Sequence, residues 1–544
     1  MAGPEQAADL VHACPTNHQV SGSMPSISLA VDQPLSPAEL EAIALGAPLQ
    51  LSAGHWQAIA RCRDFLQQLI QDKRRIYGVT TGYGPLANTY VDPDASAALQ
   101  QGLVFHLSSG TGPLLSPIQT RAIMGARVAT LARGHSAIRP EALQLVLDCL
   151  AHQLIPQVPA IGTVGASGDL TPLAHITLAL MGQGQVWLNE QVMPAHEALA
   201  ACGLTPLHPE GKDALALVNG TAAMTGIAAL NACQAERLLD LSLVLTGAYG
   251  EVLNGHLEAL QPGLANLRPH AGQIWAQQQL LKICSDSQRL QPVTQPPPRL
   301  PEDLPSGSAR HQQPLPQDAY TFRCAPQHLG AVKASVDFHQ ECVATELWSV
   351  TDNPLFLPET GEVLHGGNFF GQQIAFAADA LNNALITLAV HSERRLARLT
   401  DVTLNQGLPP FLRGNENGLH SGMMGAQVTA TALVAEMRTQ AHPASIQSIP
   451  TNANNQDVVT LGTLAARRCA TSLERLSEVL AIESFALAQA IELRGGPEAG
   501  FSCSAQALHR RVRAISAPLE DDRPLAPDIQ RLSQHWLLPD HGFV

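Results

Sequence analysis

The chain is sparing with charge and with aromatic rings: of 544 residues, 14% are Asp, Glu, Lys or Arg and 4% are Phe, Trp or Tyr. Its formal net charge of -14 is spread along the chain, which argues against nucleic acid as a partner. No C-x-x-C occurs among the ten cysteines, which run from Cys14 to Cys503, so reduced thiols in a cytoplasmic protein are expected rather than a disulfide framework or a zinc site. The opening "MAGPEQAADLVHACPTNHQVSG" lacks a basic start followed by an apolar run, so no signal peptide is expected. No uninterrupted apolar stretch is long enough to span a bilayer, and no membrane partner is expected. H-E-x-x-H is absent too, as are the other usual metal-ligand spacings.

With 45% hydrophobic residues, what is present is material for large cores and two or more domains. In "GQQIAFAADALNNALITLAVHSERRLARLTD" the positions Ile374, Ala378, Leu381, Leu385 and Leu388 alternate spacings of four and three, which gathers them on one helix face. Gln456 to Arg494 holds one Gly and no Pro, is rich in Ala and Leu, and stops at "GGP"; it is read as a second long helix. Further helices are expected over Met423 to Thr439, Pro117 to Arg133 and Pro140 to Leu154. Strand signals are few and short. The expected fold is all-α, with a loop-rich N-terminal part and a long-helix bundle behind it. Residues 1 to 26 read as an extension, 27 to 220 and 221 to 544 as the two main parts. Ser285 to Tyr320 is too rich in Pro for a helix and reads as a lid or binding loop, ordered at its end from Asp318 to Arg323.

One stretch raises a chemical question. "GASGD", Gly165 to Asp169, leaves the backbone bare between two apolar segments. It is not a hydrolase elbow, because Asp169 stands where G-x-S-x-G needs its last Gly. Nor is it a phosphate loop, since no Gly-Lys-Ser/Thr follows. A tight turn before a helix, with Thr171 as cap and Pro172 in the first turn, remains open on these residues alone.

"GTVGASGDLTPLAH" resembles the signature of the aromatic amino acid ammonia-lyase family, which includes histidine, phenylalanine and tyrosine ammonia-lyases and related aminomutases. The likeness runs from about Leu35 to about Leu525. "YGVTTGYGPLANT", "ALVNGT", "QDAYTFRCAPQHLGAV", "TDNPLF" with "HGGNFFGQ", "SGMMGAQVTATALVAEMR" and "TNANNQDVVTLG" follow in the family's order. The resemblance implies an aspartase/fumarase-like helix bundle, and a homotetramer whose active sites take residues from three chains. It implies that Ala166, Ser167 and Gly168 cyclise into a 4-methylidene-imidazole-5-one, with 27 to 220 carrying that group and 285 to 323 serving as the lid. Small side chains on Ala166 and Gly168 suit the compression this needs, and loss of water from Ser167 leaves the methylidene. No metal and no external coenzyme is implied.

By the same resemblance Tyr77 is the base that removes a β-proton, for which a phenol with a reference pKa of about 10 must be depressed. Arg323 grips the substrate carboxylate, and Tyr320 lies on the same functional loop. Asn219, Asn353, Asn452, Asn455 and Gln456 supply amide donors and acceptors. Glu436 sits near the substrate amine, the alternative being a solvated helix carboxylate. His106 and Leu107, in "LQQGLVFHLSSGTG", occupy the pair that reads the aromatic ring. An imidazole there is suited to a para-hydroxyl, which favours tyrosine over phenylalanine or histidine. Tyrosine would then give trans-p-coumarate and ammonia. An aminomutase returning the ammonia to the β-carbon, and a non-catalytic helical scaffold, are the alternatives.

Overall fold

The computed structural model describes residues 25–297, 299–310, 317–415 and 418–539. The extension expected over residues 1 to 26 lies outside them except for Pro25 and Ser26, as do Pro298 and residues 311–316 of the expected lid. Two long helices, Ala222–Val252 and Gly462–Leu493, with 31 and 32 residues, run side by side through the molecule. Gln372–Thr400, with 29 residues, lies against Gly462–Leu493, while Ala325–Trp348 and Met424–Thr439 close the bundle around them. Strands are confined to short pieces of two to four residues in four small sheets among the described residues. The three-stranded one pairs Ile155–Pro156, Gln185–Leu188 and Gln191–Pro194 antiparallel.

The apolar stripe read from the sequence is the buried face of Gln372–Thr400: Ile374, Ala378, Leu381, Leu385 and Leu388 are all fully buried. Burying each leucine contributes about 2 kcal/mol. Although interrupted by Asp379, Asn382 and Asn383, this helix is long and apolar enough to cross a bilayer, with a mean hydropathy of 1.3 over its most apolar window. Of that window, 67% is buried in the bundle. Two main cores result, one built largely from residues before Leu230 and the other from Ala235 onward, so the Ala222–Val252 helix belongs to both.

Several boundaries differ from the sequence reading. The last long helix starts at Gly462, not Gln456, because Leu461 sits at φ of 54°, left-handed backbone that no helix accommodates. Thr171 is not a cap: the helix is Leu170–Leu180, and Asp169 precedes it. The segment read as a loop from Gln317 holds a single turn, Tyr320–Arg323, and then the Ala325–Trp348 helix. Between Ser285 and Ala319 the described residues carry no helix or strand, as the prolines dictate.

Candidate active site

Three helix N-termini meet at the "GASGD" loop. Leu170–Leu180 leaves it directly, Ala222–Val252 begins just after Asn219 and Gly220, and Gly462–Leu493 begins just after Thr460. Asp169 ties them together: it is fully buried, accepts the Met224 backbone N–H at 2.7 Å and accepts the Thr463 hydroxyl. Burial is the main reason its carboxyl is pushed up to about 6, against the opposing bonds from Thr463 and Met224. The Thr460 hydroxyl donates to the Gly165 carbonyl at 3.1 Å, and the Asp169 N–H donates to the Gly220 carbonyl at 2.7 Å. The loop is thus pinned from both long helices, in a place where partial positive charge accumulates.

The triplet itself is curled. Ala166 and Gly168 are bridged to each other across Ser167, and Gly168 is bridged in turn to Gly220. At Gly168 φ is +70°, and a Cβ there would fall 2.1 Å from the Gly220 carbonyl oxygen, so only glycine fits. This compression suits the ring closure expected of Ala166, Ser167 and Gly168. Two amides grip the centre of the turn: Gln456 Nε2 donates to Ser167 Oγ at 2.9 Å and Asn219 Nδ2 to the Ser167 carbonyl at 2.9 Å. Asn219 Oδ1 is buried with no hydrogen-bond partner, an acceptor left over at the same spot.

Tyr77 joins this group through one glycine. Its hydroxyl oxygen accepts the Gly84 N–H at 2.8 Å, and a Cβ on Gly84 would lie 2.9 Å from Asn452 Nδ2 and 3.8 Å from Asn455 Oδ1. Tyr77, Asn452, Asn455, Gln456, Ser167 and Asn219 therefore form one chain of neighbours. Behind it, buried Gln100 donates to the Gly78 carbonyl at 3.0 Å and to the Tyr83 hydroxyl at 2.8 Å, which fixes the Tyr77 loop on the helix Ser96–Leu107. Tyr83 stands edge-on to Tyr77 with ring centres 6.4 Å apart, and burial pushes its own phenol above the ordinary value.

His106 and Leu107 end the Ser96–Leu107 helix, His106 exposed in this single chain and Leu107 half-buried; partial desolvation of the His106 ring lowers the imidazole pKa. The loop that follows is held where Gly110 N–H donates to His175 Nε2 at 3.1 Å, and His175 lies on the helix that leaves the Ser167 turn. Asn353 Oδ1 accepts the Gly366 N–H at 2.9 Å, joining "TDNPLF" to "HGGNFFGQ". The remaining residues stand apart. Tyr320 is 70% exposed with Arg323 4.7 Å from its ring, and Arg323 donates to Gln317 Oε1 at 2.6 Å. Between them Phe322 is buried against Gly250 and Gly255, at the far end of the Ala222–Val252 helix from Asp169. Glu436 pairs with Arg475 at 3.6 Å on a partly exposed surface. Asp169, Thr460, Thr463 and Gln100 are not among the site residues expected from the sequence, although Asp169 closes the bare stretch, Gln100 lies in "LQQGLVFHLSSGTG" and Thr460 in "TNANNQDVVTLG". Among the described residues, no three His, Cys, Asp or Glu side chains are grouped as a metal site.

The family model for aromatic amino acid lyases matches residues 35–514. The tyrosine ammonia-lyase of Cereibacter sphaeroides is 46% identical over 484 residues, covering 88% of this chain and 91% of its own. The histidine ammonia-lyase of Gloeobacter violaceus is 39% identical over 508 residues, 93% of each chain. Among solved structures, tyrosine aminomutase from Streptomyces globisporus superposes with a TM-score of 0.88 at 35% identity, over 94% of this chain and 97% of its own. The fold is the helical one of the fumarase/aspartase-like superfamily. The chain belongs to the aromatic amino acid lyase family and is a carbon–nitrogen lyase.

Proposed function

We propose that the chain removes ammonia from L-tyrosine to give trans-p-coumarate, using a 4-methylidene-imidazole-5-one closed from Ala166, Ser167 and Gly168. The observation that carries this reading is the double grip of Gln456 and Asn219 on a Ser167 turn compressed so that only glycine fits at 168. When formed, that group supplies an electrophilic methylidene that makes the substrate amine a better leaving group. The three helix N-termini would favour negative charge on the loop that is expected to hold this group. Tyr77 then takes the β-proton, the Cα–N bond breaks, and the Cα–Cβ double bond forms as ammonia leaves. Asn219 and Gln456 hold the turn, Asn452 and Asn455 flank it, and Asn353 serves the carboxylate side. Leu107 packs on the substrate ring and the His106 imidazole bonds its hydroxyl.

Arg323 grips the carboxylate and Tyr320 assists, but neither reaches Ser167 of its own chain. Gly250, which contacts Phe322, is 26 residues beyond Met224, roughly 40 Å along a helix. A complete site therefore draws Tyr320 and Arg323 from another copy, as in a homotetramer. Exposed Phe338, Phe376 and Val428 on the long helices suit cover by such copies. Glu436 meets the substrate amine in that assembly. The nine cysteines among the described residues are all free, which supports a cytoplasmic setting.

A tyrosine 2,3-aminomutase is the second reading, favoured by the likeness to the Streptomyces enzyme. Histidine or phenylalanine as substrate follows if His106 does not face the ring. Incubation with tyrosine, phenylalanine and histidine separately, followed at the arylacrylate absorbance band and by amino-acid analysis, tests all of these. Fastest growth of the p-coumarate band supports the proposal; a β-amino acid supports the aminomutase; no product from any of the three overturns the lyase reading.

A further inference from the structure

A cavity of about 270 Å³ lies behind the Tyr77 loop and is lined by none of the residues assigned above. Its floor holds Arg63, from the helix Ala53–Gln71, with 8% of its surface exposed. A guanidinium offers five N–H donors. Here one of them reaches the Ala137 carbonyl at a stretched 3.5 Å, and Nε is buried with no partner. Buried donors in folded proteins are nearly always satisfied, and a planar cation under-satisfied this far is matched best by a carboxylate. Burial lowers the Arg63 pKa, with Asp213 and Glu210 opposing; a bound anion would oppose it further.

The rest of the wall narrows the class of ligand. Asp94 and Glu210 stand at the mouth. Glu210 shares Arg139, 3.7 Å away, and Arg139 is also held at 2.6 Å by Asp213, so Asp94 is the carboxylate free to meet a cation. Ile70, Val79 and Pro93 give an apolar side. Gly211 closes over the guanidinium, where a Cβ would fall 2.4 Å from Arg63 Nη1, and its N–H is held by Ser96 Oγ at 3.0 Å. A buried cation, a free carboxylate and an apolar side in one cavity match a zwitterion that carries an apolar side chain.

We propose that this cavity binds a free α-amino acid, with its carboxylate on Arg63, its ammonium toward Asp94 and its side chain against Ile70, Val79 and Pro93. The occupant touches Val79, two residues from Tyr77, and Ser96, at the start of the helix that ends in His106 and Leu107. It is a wedge between the two elements that carry the proposed base and the proposed ring reader. Any effect on turnover rests on the lyase reading; the binding itself does not.

The test counts sites by equilibrium dialysis of labelled L-phenylalanine against the full-length Ser167→Ala chain, which cannot consume it. Adding Arg63→Gln, or Asp94→Lys at the exposed rim where folding is undisturbed, is expected to remove one equivalent per chain or weaken it at least tenfold. That loss is read whether or not the Ser167 site also binds the probe. 3-Phenylpropanoate, which keeps the carboxylate and lacks the ammonium, is expected to bind the same site at least tenfold more weakly. Unchanged uptake in both variants would overturn the proposal, and equal affinity for the two probes would overturn the amino-acid assignment.

Discussion

Gln456 reaches across 289 residues of chain to donate its amide to the Ser167 hydroxyl at 2.9 Å. The contact exists because the last long helix begins six residues late: the left-handed run at Asn452, Ala453 and Asn454 turns the chain back, with Thr451 bridged to Gln456, before Gly462 starts the helix. Together with Asn219 it fixes the turn whose geometry the proposed chemistry needs. Gln456→Ala and Asn219→Ala should each lower kcat/KM by about a hundredfold, the cost of one oriented donor at a reacting centre. Thermal melting of each variant should stay close to the parent, and undiminished turnover in both would remove these amides from the mechanism.

His106 should decide which ring is accepted. His106→Phe is expected to shift the ratio of tyrosine to phenylalanine kcat/KM by about ten- to a hundredfold toward phenylalanine, because a hydroxyl left without its partner is what the site then rejects. Steady-state kinetics with the two amino acids measures it; an unchanged ratio would show that the imidazole only packs.

Asp169 should make stability depend on pH in a particular sense. Its folded value, about 6, lies above the ordinary 3.8, so the native chain holds the proton more tightly than the unfolded one between those limits. The stability tied to this group is therefore fully present below about pH 4 and is lost as pH rises through 6. Asp169→Asn keeps an acceptor for the Met224 N–H, turns an amide donor toward the Thr463 hydroxyl, which can accept it, and removes the titration. Relative to the parent it should gain about 3 kcal/mol between pH 4 and pH 7, read by urea unfolding across that range. Parallel curves for the two chains would show that Asp169 is not strained by burial.

In the bundle core Arg395 and Glu483 are both fully buried, paired at 2.5 and 2.7 Å, with Ser392 donating to the same carboxylate and Thr246 accepting from the guanidinium. Glu483→Gln would strand the arginine charge and should destabilise the chain by about 4 kcal/mol, whereas joint replacement by Met and Leu should recover most of that. Calorimetric melting of the single and double variants separates the two outcomes.

What could be read beforehand followed from physical visibility. The Gln372–Thr400 helix has one apolar stripe and was legible; Ala222–Val252 was not singled out, because nearly every residue on it is buried and no polar face marks its period. The family resemblance points to the Ser167 triplet, Tyr77, Asn219, Asn452, Asn455 and Gln456, and these are neighbours within one chain. Thr463 acts only through its contact with Asp169, 294 residues away in sequence, which no local pattern announces. Tyr320 and Arg323 are expected at one site with Ser167, yet they flank Phe322, which packs against Gly250 at the other end of its helix. Sequence order carries no trace of that separation.

Intact-mass spectrometry of the purified chain reads directly whether the Ala166–Ser167–Gly168 turn closes on itself. Cyclisation and dehydration together should leave the protein two waters lighter than its sequence, while Gly168→Ala, whose Cβ would meet the Gly220 carbonyl at 2.1 Å, should keep its full mass. A native chain at full sequence mass would contradict the central claim and leave only a tight turn at the meeting point of three helices.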